Sequence, residues 1–233
     1  MAFDLLKKFW FGELGCAEEQ LLANKSLVVK HGTLAGYKGV FYFLGKGSCV
    51  ISAPPAEVEF LTKAYEGVSA LEAFDPGRIE KILGAKLDCL IGPAWIGMIS
   101  EKWFTPCHEG QTQLLESGDV MPLLEACSEE EREHSSLGGN CEETVGLYRE
   151  GKLVAAAGYE IRGGKVAHIG VLVHPLYRGK GLAKLVVSGI TARALATDYG
   201  VQYQTLVTNQ PSVKAAMSLG FKPFAFTIAA RLL

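Results

Sequence analysis

Between residues 174 and 185 the sequence reads HPLYRGKGLAKL, with Gly179 and Gly181 flanking Lys180 where a strand-like apolar run passes into a helical pattern. Glycines at such a junction let backbone N–H groups turn toward a ligand without Cβ obstruction, and the positive end of the following helix favours an anion. Arg178 and Lys180 add charge beside them. The chemistry this suggests is a cradle for phosphate oxygens. The plain alternative is a basic surface turn that opens a helix. Two phosphate motifs fail here. A P-loop needs four residues between its glycines and then Lys-Ser/Thr. A dinucleotide fingerprint needs a third small residue where Lys184 stands and a long βαβ series, yet only about fifty residues follow Gly181.

The elements that must position this turn are legible around it. ETVGLYREGKLVAAAGYEIRGGKVAHIGVLVHP predicts three antiparallel strands, with turns at Glu150-Gly151 and Gly163-Gly164. Leu182, Leu185, Val186 and Ile190 recur at helical spacing from Gly181 to about Ala196. VQYQTLVT predicts a strand, PSVKAAMSLGF a helix from Pro211 to Gly220, and FAFTIAARLL a closing strand. Ahead of them, MPLLEACSEEEREHSS predicts one helix whose acidic run Glu129–Glu131 is a solvated face.

The earlier part of the chain reads as a helix at Phe3–Trp10, then strands at SLVVKHGTL, GVFYFLG and SCVISAP, with LGKGS making a hairpin between the last two. AEVEFLTKAYEG and Arg78–Leu83 predict helices, and Cys89–Ile91 a buried strand. Pro106, Gly110 and polar residues interrupt the periodicity between Phe104 and Gly118, so the chain divides into an N-terminal α/β region at 1–115 and a second domain at 116–233. Metal, nucleophile and phosphate motifs are missing from the first of these.

Composition narrows the function classes. The 233 residues are 48% hydrophobic and 21% charged, the balance of a globular chain with a sizeable core. A net charge of −2 argues against broad nucleic-acid binding. The six cysteines are scattered without a CxxC pair, which disfavours a structural metal. The opening MAFDLLKKFWFGELG reads as an amphipathic helix and not a signal peptide. The run CLIGPAWIGMI is too short and too broken by Gly and Pro to span a bilayer. A cytoplasmic protein with reduced thiols and no membrane partner is the expectation.

VHPLYRGKGLA resembles the acyl-CoA signature of the GNAT superfamily of N-acyltransferases, through Arg178, Gly181 and Ala183. About thirty residues on, TNQPSVKAAMSLGF resembles that superfamily's later segment, an Asn and a Ser opening a helix that ends in Leu-Gly-Phe. The resemblance covers roughly 121–233. GTLAGYKGV, SAPP and GPAWIG look similar to the leading regions of uncharacterised bacterial members. The implied fold is α/β: a GNAT-type mixed, largely antiparallel sheet flanked by helices, preceded by a smaller α/β half-domain. That first region would shape the acceptor side.

The resemblance implies acetyl-CoA, or another short acyl-CoA, as co-substrate. The backbone of Val171, Leu172 and Val173 would hydrogen-bond the pantetheine arm. N–H groups of Arg178, Gly179, Lys180, Gly181, Leu182 and Ala183 would hold the pyrophosphate, with Asn209 and Ser212 across the cleft. The reaction implied is direct attack of a primary amine, on a small molecule or peptide, at the thioester. A homodimer is compatible with it. Two departures stand out. The tyrosine that protonates the departing thiolate in many members is replaced by Ala216, and the carboxylate expected on the strand before the loop is replaced by His168. His168 is one candidate base, with Glu160 and Glu143 as alternates. Tyr159 and Tyr203 offer hydroxyls, although strand aromatics usually pack. The alternative reading is a non-catalytic acyl-CoA-binding protein. A nucleotide-binding oxidoreductase is disfavoured by Lys184.

Overall fold

The computed structural model describes residues 2–22, 25–107, 112–116 and 118–233, which gather into two compact units. The first comprises residues 7–96, 206–208 and 224–233. It begins within helix α1 (Ala2–Leu14), whose Trp10 packs against the rings of Phe41 and Phe43 at 6.0 and 5.3 Å. Strand β1 (Ser26–Lys30) runs parallel to β3 (Ser48–Ala53), and β2 (Gly39–Gly45) antiparallel to it. The β2–β3 turn at Lys46-Gly47 has left-handed φ values of 49° and 87°, the geometry that matches strand twist in a two-residue hairpin. Helices α2 (Pro55–Ala64), α3 (Ala70–Ala73) and α4 (Pro76–Leu83) follow. Prolines at the first positions of α2 and α4 give up no helical hydrogen bond, and the Arg78 N–H donates to the Asp75 side chain at 2.8 Å to cap α4. Tyr42, Ile51, Leu61, Ile79 and Leu83 bury together between these helices and the sheet.

Strand β4 (Leu87–Ile99) is 13 residues long, not the short Cys89–Ile91 segment expected from sequence. It runs straight through Gly92-Pro93, which in sequence looks like a break.

The second unit comprises residues 1–6, 97–205 and 209–223. Its elements are β5 (Gln113–Leu114), α5 (Met121–Glu125), α6 (Glu129–Ser135), β6 (Glu143–Arg149), β7 (Lys152–Arg162), β8 (Val166–Val173), α7 (Leu182–Leu195), β9 (Gly200–Leu206) and α8 (Gln210–Ser218). The strands lie in the order β9-β8-β7-β6-β5. All neighbours are antiparallel except β8 and β9, which are parallel. Both predicted turns are present: Glu150 and Gly151 take φ values of 50° and 75°, Gly163 and Gly164 of 55° and 63°. The apolar stripe of α7 (Leu182, Val186, Val187, Ile190, Ala194) is buried, with β6, β7 and β8 as its neighbours. Leu123 and Leu124 of α5 pack with Ala156 and Leu172 on the opposite face.

The single helix expected at 121–136 is two. Ser128 breaks it by closing a capping box with Glu131, which satisfies the first N–H groups of α6. The predicted division of the chain at 115/116 also differs from the observed units, for a reason in the last strand. Strand β10 (Lys222–Leu232) pairs antiparallel with β2, from Phe226 opposite Leu44 to Arg231 opposite Gly39, so the C-terminal residues belong with the first unit. A Cβ on Gly92 would stand 2.7 Å from the Thr227 carbonyl oxygen of β10, and its φ is +126°; glycine is what lets β4 pass there. Where the periodicity is interrupted, residues 104–107 are tied down: Thr105 N–H donates to the Leu219 carbonyl and Cys107 N–H to Ser188 Oγ. Gly110 lies outside the described residues. All six cysteines are free.

Candidate functional site

The site starts where two parallel strands part. Register partners across β8 and β9 run from Val166–Gly200 to Ile169–Tyr203, yet β8 continues to Val173 and β9 to Leu206. The backbone from Gly170 to Val173 therefore borders an opening, the kind of strand edge that accepts an extended amide-bearing chain. Val171 and Val173 are half-buried there, and Leu172 is buried toward α5.

Beyond Val173 the chain enters the basic turn. Pro175–Tyr177 forms one short 3-10 turn, capped as the Leu176 N–H donates to His174 Nδ1 at 3.2 Å, so His174 serves as a turn residue. Gly179 and Gly181 then adopt left-handed φ values of 75° and 74°, and a Cβ on either would meet nothing within 4 Å. Gly181 is the N-cap of α7, no side chain caps that end, and the first turn holds no acidic residue. An uncapped helix start of 14 residues behind two open glycines fits a phosphate group. Lys180 Nζ lies over the Tyr177 ring at 5.0 Å, and Arg178, Gly179 and Lys180 are exposed.

Arg178 is placed otherwise than its charge suggests. Its Nη2 contacts Glu131 Oε1 at 2.7 Å and its Nε donates to the Val173 carbonyl at 3.2 Å. Glu131 is thus more than part of a solvated acidic face. Its other oxygen accepts from the Ser128 N–H, and these contacts hold its pKa below the usual carboxylate range, the Ser128 N–H first and Arg178 with it.

The three proposed bases fall on two faces of the sheet. His168 stands opposite Glu160 on β7 and Gln202 on β9, so all three share the face toward α6. A Cβ on Gly170, two residues along that face, would strike the Ser135 carbonyl at the end of α6. His168 is only 6% exposed, and Gln202 Nε2 lies 3.2 Å from its Nδ1. Burial, with a lesser contribution from the Arg162 charge, pushes its pKa well below the ordinary histidine range. Glu160 is half-buried and ion-paired with Arg162 at 2.5 Å. Glu143 is on the other face, paired with Arg193 of α7, and it lines a cavity of about 440 Å³ with Leu124, Leu137 and Cys141. None of the residues lining that cavity belongs to β8, β9 or the 178–183 turn.

Across the opening, Asn209 caps α8 by accepting from the Ser212 N–H at 3.3 Å. Ser212 Oγ and the Tyr203 hydroxyl are 2.7 Å apart, and burial raises the pKa of that phenol. Tyr203 also packs edge-on to Phe221. Ala216 is buried and carries no proton donor. Tyr159 is buried beside Glu143 and its pKa is likewise raised by burial. Sequence reasoning missed Glu131 and Gln202 as members of the site. Glu131 carried a signal, the S-x-x-E of a capping box, whereas a strand glutamine carries none. Among the described residues no group of three His, Cys, Asp or Glu side chains is placed to hold a metal, and no helix is long and apolar enough to cross a membrane.

The acetyltransferase (GNAT) family model matches residues 102–221, just over half of the chain. No curated protein matches it. Among solved structures, the chain is similar to a GNAT-family protein from Novosphingobium aromaticivorans, at 22% identity and a TM-score of 0.50, covering 62% of this chain and 66% of that one. A GNAT-family acetyltransferase from Colwellia psychrerythraea matches at 13% identity and 0.51, over 78% and 76%. A GCN5-related N-acetyltransferase from Kribbella flavida matches at 16% and 0.50, over 67% and 64%. The chain thus spans slightly under two thirds of the first and third of these relatives, and the likeness is one of fold.

Proposed function

The chain belongs to the GNAT acetyltransferase family, and we propose that it transfers an acetyl or other short acyl group from acyl-CoA to a primary amine. The observation that carries this reading is the parting of β8 from β9 immediately before the Gly179/Gly181 turn. In this reading the amides of acyl-CoA's pantetheine arm pair with the backbone of Val171 to Val173. The pyrophosphate lies against the N–H groups of residues 178–183 at the start of α7, with the exposed Lys180 nearby. Asn209 and Ser212 flank the other side. The thioester then reaches the end of the paired segment, near Ile169 and Tyr203.

The amine nitrogen attacks the thioester carbonyl, the C–N bond forms, and the C–S bond breaks as the tetrahedral adduct collapses. The amine gives up one proton and the departing sulfur gains one. Glu160 is the better placed acceptor, because its carboxylate is half-buried on the face opposite Tyr203, while His168 sits behind it in a site that disfavours imidazolium. Glu160 and Glu143 are both ion-paired, with Arg162 and Arg193, but Glu143 lines a cavity that shares no residue with β8, β9 or the 178–183 turn, which leaves Glu160 for this step. The Tyr203–Ser212 hydroxyl pair takes the place of the donor missing at Ala216. The acceptor is a small-molecule or peptide amine.

A second reading, acyl-CoA binding without turnover, draws on two observations: Ala216 cannot donate a proton, and His168 is buried. Calorimetric titration with acetyl-CoA, followed by a thiol-release assay over a panel of amines, separates the two. Binding with release supports the transferase. Binding without release on any amine supports the second reading, and failure to bind acetyl-CoA or longer acyl-CoAs overturns both.

A further inference from the structure

We propose that Arg178 is not a phosphate ligand but the strut of the phosphate turn, and that Glu131 is the positioning residue that holds it. This rests on the acyl-CoA reading above for its ligand, though not for its structural core. Three observations carry it. The guanidinium is already committed: Nη2 to Glu131 Oε1 at 2.7 Å and Nε to the Val173 carbonyl at 3.2 Å. Val173 is the last residue of β8, so the arginine joins the end of the strand to the first turn of α6 from the base of the turn it precedes. Glu131 is itself fixed, since its Oε2 accepts from the Ser128 N–H and hydroxyl at 3.0 and 3.1 Å.

Other contacts of the turn are local: the Tyr177 N–H donates to the His174 carbonyl at 2.8 Å, and Lys180 Nζ lies over the Tyr177 ring at 5.0 Å. Gly179 and Gly181 are left-handed, contact nothing within 4 Å of where a Cβ would stand, and add the conformational freedom that makes such segments costly to order. An exposed ion pair contributes little to global stability. Its value here is local: it fixes the direction in which the 178–183 N–H groups face. The positive charge available to a phosphate is then that of Lys180, Lys184 and the start of α7.

Glu131→Gln, Arg178→Gln and the double variant form a cycle that reads this directly. Glutamine keeps the capping box, so α6 stays formed. With CoA as the titrant, each single variant weakens binding about fivefold and the double variant weakens it no further, because both remove the same strut. In the ligand-free protein, the amides of residues 177–182 exchange faster in all three variants than in wild type. A much larger loss in Arg178→Gln than in Glu131→Gln would make the guanidinium a phosphate ligand and overturn the proposal, as would tighter binding in Glu131→Gln. If wild-type protein does not bind CoA, the acyl-CoA reading fails by itself, and the exchange measurement alone decides: unchanged exchange in the variants overturns the strut.

Discussion

Ile169 and Tyr203 are the last register partners of β8 and β9, and they end a row, Glu143–Tyr159–Ile169–Tyr203, that crosses four strands on one face of the sheet. One residue away, Glu160, His168 and Gln202 form a row on the opposite face. A group inserted at the end of the paired segment would have a phenol to one side and a carboxylate with an imidazole to the other. The phenol and the carboxylate are therefore kept apart by the sheet itself.

Replacing Gly181 by Asp places a side chain and a negative charge at a residue whose φ is +74°. The backbone strain is about 1–2 kcal/mol, small beside the loss of an anion site. Calorimetry with CoA is expected to show affinity lowered by at least ~100-fold, while circular dichroism keeps its wild-type form. Unchanged affinity would return the turn to an ordinary helix start.

Glu160→Gln keeps the shape of the side chain and removes its charge. Turnover on a good amine is expected to fall about 100-fold with the KM for acyl-CoA nearly unaltered. Wild-type turnover in this variant would exclude Glu160 as the base and turn attention to His168.

Loss of the Tyr203 hydroxyl leaves Ser212 Oγ without its 2.7 Å partner. Tyr203→Phe should cost about 1 kcal/mol in a urea titration. Its turnover should drop roughly tenfold, less than for an ordinary general acid because a CoA thiolate is a fair leaving group. A stability loss with unchanged turnover would make the pair structural.

His168 and His31 both have pKa values lowered by burial; His31 is held between Ser52 Oγ at 2.7 Å and the Gly39 carbonyl at 3.0 Å. The unfolded chain, with histidine near its ordinary value of about 6.5, then binds more protons than the folded one as pH falls below that value. Stability is full above it and declines on acidification toward the folded-state values. Urea midpoints between pH 8 and pH 5 (roughly one and a half units either side of the free value) should fall toward the acid end. The fall should be shallower in His168→Gln; an equal slope would mean that His168 is not among the groups linked to unfolding.

Much of the second unit was readable in advance because its signals are local. Glycine pairs set the hairpins, and helical spacing at Leu182, Val186 and Ile190 set α7. One misreading came where distant backbone decides, the other where a local cap competes with an apolar pattern. Gly92-Pro93 looks like a break until β10 is laid beside it, and the helix at 121–136 looks continuous until the Ser128 box is weighed against the apolar pattern. For the site, glycines announced themselves by type, whereas the commitment of Arg178 to Glu131 depends on a contact 47 positions apart in sequence (178 minus 131), which no local pattern encodes.

Strand β10 carries a consequence for synthesis. Because it pairs with β2, a segment made nearly two hundred residues earlier, the first unit's sheet is one strand short for as long as the ribosome is still translating the second unit. During that interval the nascent chain presents the β2 edge, including Val40, Tyr42 and Leu44, with its hydrogen-bonding groups unmatched. Such an edge invites pairing with other chains. The unit whose strands β1 to β3 emerge first is thus completed last, and its exposure to aggregation or to a chaperone is set by translation time.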